Sequence, residues 1–204
     1  MPGHAADPSF PLLPLLSFAF SASATPGPNN IMMLSAAATH GLRRTLPQLA
    51  GVAIGFGVMV ALVACGLGIP LAQSRLLQRM MQVAGAIWLT WLAWKIATAP
   101  VRGELRPARV LSFWSACAFQ WINPKGWIMA VATTATFLPP GGNPLIFGPL
   151  FGLVFTLVSF PCVGSWGLVG ASGGRLLQQP GRLRAFNVTL ALLLITTVVA
   201  MLLE

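Results

Sequence analysis

FPLLPLLSFAFSASATPGPNNIMMLSAAA, residues 10–38, carries no charged side chain, and Thr25-Pro26-Gly27-Pro28-Asn29-Asn30 interrupts it deep inside. About 20 consecutive apolar residues suffice to cross a bilayer's hydrocarbon core, so the run is long enough to span. It is also too long and too broken for one straight helix. Proline lacks the N–H that a helix interior needs, and its ring displaces the carbonyl four residues earlier. The expectation is a helix, a break at residues 25–30, and a second half-helix.

Five further apolar stretches follow, at about 46–70, 80–99, 111–138, 145–171 and 186–203. At ~1.5 Å per residue even the last reaches about 27 Å, near the hydrocarbon thickness. The whole composition agrees. Of 204 residues, 56% are hydrophobic and 7% charged, and the mean hydropathy is +0.79. Soluble domains carry roughly 25% charged residues to cover their surface. The chain reads as an all-α membrane protein of about six transmembrane helices, one transmembrane domain over residues 1–204.

Only Asp7, Glu104 and Glu204 are acidic, and the formal net charge is +9. Nucleic-acid binders cluster their basic residues on one face with polar or aromatic company. Here the basic residues sit in or beside short breaks between apolar runs, so no nucleic-acid partner is expected. If all six stretches span, one side holds Arg43, Arg44, Lys95, Arg102, Arg106, Arg109, Arg175, Arg182 and Arg184. The other holds Arg75 and Arg79. The positive-inside rule puts the first set in the cytoplasm and both termini outside, on the periplasmic face of a bacterial-type inner membrane. Ala22-Ser23-Ala24 imitates a signal-peptidase site, but no Lys or Arg precedes Arg43, so the segment is kept as the first helix. The cysteines Cys65, Cys117 and Cys162 form no CxxC pair and read as small buried hydrophobes.

The fourth stretch repeats the peculiarity of the first. Asn123-Pro124-Lys125-Gly126 is again helix-breaking, again carries Asn, and again lies well inside an apolar run. The stretches after each break also match, through Gly51 and Gly55 and then Gly148 and Gly152. Such GxxxG spacings are close-packing devices. Three spans reverse the chain direction, so the halves at about 10–99 and 111–203 are expected to form an inverted repeat. Paired breaks in corresponding helices of two inverted halves point to a transporter's binding site.

The breaks supply chemistry. Pro26 and Pro28 are expected to release the carbonyls of Ala22 and Ala24, and Pro124 that of Gln120. A freed carbonyl facing lipid costs several kcal/mol, so it must face protein, water or ligand. Released carbonyls suit a cation, and the N-terminus of the following half-helix suits a carboxylate. Asn29, Asn30, Gln120 and Asn123 both donate and accept. A small zwitterion such as an amino acid fits this set. Lys125 sits near the middle of its stretch, too deep to snorkel to the interface, with no acid in any span to pair with. A charge at that depth normally faces a cavity or a partner. Two roles stay open for it: capping carbonyls around the break, or handling the substrate carboxylate or a proton. His4 and His40 read as solvated flanking residues. Trp88, Trp91 and Trp94 read as an interfacial belt, and Trp121 and Trp127 as packing around the second break. Pro161 is expected to kink the fifth stretch. No metal ligand set and no cofactor are expected.

Thr25-Pro26-Gly27-Pro28-Asn29 resembles the TPGPN signature of the LysE/RhtB exporters, and Asn123-Pro124-Lys125 resembles their NPK motif. Gly41, Arg43, Gly51 and Gly55 follow the family's loop and second helix, and Gly85-Ala86-Ile87-Trp88-Leu89 resembles its GAxYL segment. Thr45 stands where a Gly is usual, Trp88 replaces Tyr, and Gly126 replaces Ala. The resemblance implies export of amino acids or related metabolites, driven by the proton motive force. By carry-over it implies a site that includes Pro26, Pro28, Asn29, Asn123, Pro124 and Lys125.

The reading is therefore a carrier working by alternating access, with no enzymatic activity. Substrate-binding and gating roles fall to Thr25, Pro26, Gly27, Pro28, Asn29, Asn30, Gln120, Asn123, Pro124 and Lys125. Neutral substrates are favoured, because no acid in the spans would receive a cationic side chain. The expected partners are the lipid bilayer, the solute and, as an open assembly, a second copy in a homodimer. The alternative is a passive channel for small solutes or anions. A membrane thiol–disulfide electron carrier would need a cysteine beside both breaks, and the first stretch has none.

Overall fold

The computed structural model describes residues 10–68, 110–173 and 180–203, with scattered positions between 74 and 98. The expectations placed on His4, Asp7, Arg75, Gly85, Trp88, Leu89, Lys95, Arg102, Glu104, Arg106, Arg109, Arg175 and Glu204 lie outside the described residues. So does most of the third stretch.

Prolines punctuate the chain. Helix α1, Leu12–Ala24, ends at Thr25, whose extended backbone (φ −61°, ψ 135°) is the conformation that a following proline imposes. Helix α2, Pro28–His40, restarts with proline at its beginning, where no N–H is needed. A single residue, Gly41, turns the chain into α3, Leu42–Leu62, with φ +78°, which disfavours any side chain. A π-helical turn, Val63–Leu67, continues α3, and Gly66 leaves helical geometry within it at φ +123°.

The second half uses the same devices. Helix α4, Phe113–Gln120, is capped by Ser112, whose Oγ accepts from the Ser115 N–H at 3.2 Å. After a break at residues 121–123, helix α5, Pro124–Phe137, again opens on proline. Helix α6, Pro144–Gly173, follows Asn143, whose Oδ1 accepts from the Leu145 N–H at 2.9 Å. Helix α6 runs on through Pro149 and Pro161. Helix α7 is Pro180–Leu203. No strand occurs among the described residues.

The two broken stretches are thus pairs of half-helices, as expected. Two boundaries differ from the sequence reading. Helix α3 starts at Leu42 rather than near residue 46, and α7 at Pro180 rather than near 186. Arg43, Arg44, Arg182 and Arg184 all lie within these helices. Hydropathy marks where lipid would be, whereas the helix continues through basic turns that water or headgroups can solvate.

Helix α3 is the central post, packed on α6, α4 and α2. Its glycines explain the fit. A Cβ on Gly51 would strike the Phe113 carbonyl oxygen, and one on Gly55 would lie 2.6 Å from the Cys117 Cα. On α6, a Cβ on Gly152 would lie 2.6 Å from the Gly57 carbonyl oxygen. Both GxxxG pairs therefore act as close-packing seams. A core of Leu15, Phe56, Met59, Val60, Phe151 and Phe155 joins α1, α3 and α6, with Phe56 and Phe155 edge to face at 5.3 Å.

The outside is apolar too. On α3, Ile54, Val58 and Leu62 form an exposed stripe at i, i+4 spacing, and α6 repeats this with Leu153 and Leu157. Trp114 is 77% exposed. Apolar patches on this scale face lipid, not water. Two helical segments, Leu42–Leu67 and Pro144–Gly173, are long and apolar enough to cross a membrane. Trp91 and Trp94 are exposed, as an interfacial belt requires. Of the cysteines only Cys162 is buried. Cys65 and Cys117 are half-buried, and each donates its thiol to a backbone carbonyl, of Pro144 and Gly51 respectively. They are helix clips more than simple apolar filler.

Candidate functional site

The two breaks face each other. Lys125 Nζ, one residue into α5, donates to the Thr25 carbonyl at 2.9 Å and stands 3.5 Å from the Pro26 carbonyl. The second break thereby holds the carbonyls that the first leaves exposed. Gly27 has an ordinary extended backbone (φ −174°), so its φ does not call for glycine. The space does: a Cβ there would lie 3.1 Å from both Cδ and Nζ of Lys125.

The carbonyls of Ser23, Ala24 and Thr25 at the end of α1 are each held by a side chain. Asn30 Nδ2 donates to Ser23 O and Thr25 O, both at 2.9 Å, and Trp166 Nε1 on α6 donates to Ala24 O at 3.2 Å. The Ala24 carbonyl, expected to be free, thus has a partner that the sequence did not reveal. The Gln120 carbonyl is taken by the Asn123 N–H at 3.2 Å.

Asn29 and Gln120 form a reciprocal amide pair, with Nδ2 to Oε1 at 2.8 Å and Nε2 to Oδ1 at 3.2 Å. Gln120 is fully buried and also donates to its own helix at Ala116 O. It acts as a brace for Asn29 and does not border the cavity. Gln120→Leu keeps the volume and strips Asn29 of both bonds. The expected loss is ~1–3 kcal/mol, the cost of stranding buried amide groups, seen as melting several degrees lower in detergent. An unchanged melting temperature would refute the brace.

Between the breaks lies a cavity of about 30 Å³, lined among others by Gly27, Asn29, Asn30, Asn123 and Lys125. That volume admits about two waters. The first turns of α2 and α5 both open onto it, and neither is capped by a side chain. Both bring positive dipole ends to one place. Asn123 is 3% exposed and its Oδ1 has no hydrogen-bond partner. A buried acceptor left unpaired calls for a donor that comes and goes.

Of the expected site residues, Gly27, Pro28, Asn29, Asn30, Asn123 and Lys125 line the cavity. Thr25 and Pro26 contribute carbonyls to Lys125, and Pro124 starts α5. Trp121 and Trp127 pack against each other at 5.8 Å, with Trp127 Nε1 donating to Trp121 O, away from the cavity lining. Sequence reasoning missed Ser23, Phe56 and Ser159, which line the cavity from α1, α3 and α6. It also missed Gln48, a buried side chain on α3 that accepts from the Leu111 N–H at 3.0 Å and fixes the approach to α4.

An apolar exterior, two broken helices and a cavity between them that sets Asn, Ser and Lys side chains among apolar walls define a membrane protein organised to pass a solute. The chain belongs to the LysE type translocator family, whose model matches residues 20–204. It is 38% identical over 174 residues to the cysteine/O-acetylserine efflux protein of Escherichia coli O139:H28 (strain E24377A / ETEC), covering 84% of this chain and 87% of that one. The proteins of the same name from Escherichia coli (strain K12) and Shigella flexneri are 37% identical over the same shares. No solved structure matches the chain. As a member of a translocator family it is a transporter and not an enzyme.

Proposed function

We propose that this transporter exports small neutral amino acids from the cytoplasm across the inner membrane, with cysteine and O-acetylserine as the first candidates from its relatives. The observation that carries the reading is the bridge from Lys125 to the Thr25 and Pro26 carbonyls across a shared cavity. A substrate carboxylate competes for that ammonium and is favoured by the N-terminal ends of α2 and α5. The substrate's own ammonium meets Asn123 Oδ1, the acceptor that lacks a donor.

The cavity holds about two waters, so an amino acid enters only when the half-helices part. Alternating access then consists of one half rocking against the other about the breaks, as an inverted three-plus-three arrangement would allow. The proton motive force is the proposed drive. The basic loops support cytoplasmic placement of the nine Lys/Arg side and of both termini outside.

The test is efflux from preloaded vesicles containing the purified protein, with labelled amino acids and an imposed proton gradient. Saturable export of small neutral amino acids that a protonophore stops is the expected outcome. Non-saturable flux that follows only the solute gradient would replace the carrier with a channel.

A further inference from the structure

Ser23 on α1 and Ser159 on α6 meet inside the cavity, with their Oγ atoms 2.9 Å apart. They are 7% and 2% exposed. Serines in apolar helices usually turn their hydroxyls back onto the carbonyl four residues earlier. Ser17, Ser21 and Ser172 do so here, donating to Leu13 O, Ser17 O and Leu168 O. Ser23 and Ser159 instead face each other. One hydroxyl hydrogen makes the bond between them and the second is left over. The pair therefore offers a free donor and several lone pairs to whatever enters beside it.

The surroundings set the size of what can enter. Val52, Phe56 and Val163 are the apolar walls near this part of the cavity, and each is buried. A side chain with one polar atom just beyond its Cβ would fit beside the hydroxyls.

We infer that the Ser23–Ser159 pair is the side-chain subsite of the transporter, selecting amino acids whose γ atom is sulfur or oxygen over those with carbon there. The inference rests on the export reading above, in which Lys125 and Asn123 take the carboxylate and ammonium. A site built to hydrogen-bond a substrate group discriminates against the analogue that lacks it, because its own polar atoms then go unpaired.

The probe pair is cysteine and 2-aminobutyrate, which differ only by a thiol in place of a methyl. Export of both is measured in proteoliposomes under reducing conditions, at matched protein levels. The wild-type chain is expected to prefer cysteine by about two- to tenfold, since a thiol is a weak hydrogen-bond partner. Each single alanine leaves the other hydroxyl free, so the deciding variant carries Ser23→Ala and Ser159→Ala together and is expected to bring the ratio to near unity, the ratio and not the absolute rate being the readout. A ratio unchanged in that variant, or equal losses for both solutes, makes the pair a helix clip and overturns the inference while the export reading stands. A wild-type chain that exports neither solute overturns both.

Discussion

Lys125→Ala is expected to reduce export at least ~100-fold, and more than any other single substitution in the cavity. The charge contributes twice. In the conformation described it donates to the Thr25 carbonyl and reaches toward Pro26, and among the described residues it is the only charged side chain lining the cavity. Removing it leaves the Thr25 carbonyl with Asn30 Nδ2 as its remaining donor, takes the ammonium from the Pro26 carbonyl and, under the export reading proposed above, withdraws the counter-charge from the substrate carboxylate. Breaking a buried charge pair costs about 3–5 kcal/mol, or some 2–4 orders of magnitude in rate or affinity. Lys125→Arg separates the two contributions, since guanidinium keeps the charge but not the compact fit beside Gly27. The reading predicts partial export for Arg and none for Ala, at equal membrane abundance. Full export by Lys125→Ala would reduce Lys125 to a dispensable cap.

Gly170→Val should have the largest effect on the fold itself. A Cβ at Gly170 would collide with the Leu34 carbonyl oxygen, and its other neighbours are the Leu34 backbone carbon and Cα. Backbone cannot swing aside as the end of a side chain can. The substitution must push α2 away from α6, and α2 carries Asn29 and Asn30. Overpacking of this kind costs about 1–3 kcal/mol and more when backbone must move. The expected result is a clear loss of monodisperse protein on size exclusion in detergent, with a melting temperature several degrees lower. Gly170→Ala should fall between. By contrast, Gly181, beside which a Cβ finds open space, should tolerate alanine without a shift. Equal stability at 170 and 181 would contradict the packing described.

The breaks were the most legible part of the chain, because proline acts locally. Pro26-Gly27-Pro28 and Asn123-Pro124 pair proline with Gly or Asn, and the structure interrupts the helices there, whereas the lone Pro47, Pro149 and Pro161 are carried inside helices. The glycine seams were legible for a similar reason, since spacing of four puts Gly51 and Gly55 on one face. What could not be read was which distant elements would answer the breaks. Trp166 lies far from Ala24 in sequence, and nothing in its neighbourhood marks it as the donor that would satisfy a freed carbonyl. Ser23 and Ser159 look like ordinary serines in apolar runs until the fold sets them face to face. Gln120 carried a correct signal with an incomplete role. A polar residue just before a break suggests a ligand contact, but its burial makes it the support of Asn29.

The smallness of the cavity bears on when a cell would notice this protein. In the alternating-access carrier proposed above, a cavity this small would take an amino acid only in the fraction of molecules that has opened further. Apparent affinity is weakened by that fraction: a form open one time in a hundred binds about a hundredfold more weakly than its site alone would. Flux therefore stays low while the internal pool is modest and climbs when the pool swells. The tight junction between Lys125 and the first break would set an overflow threshold, sparing metabolites the cell needs and venting those in excess.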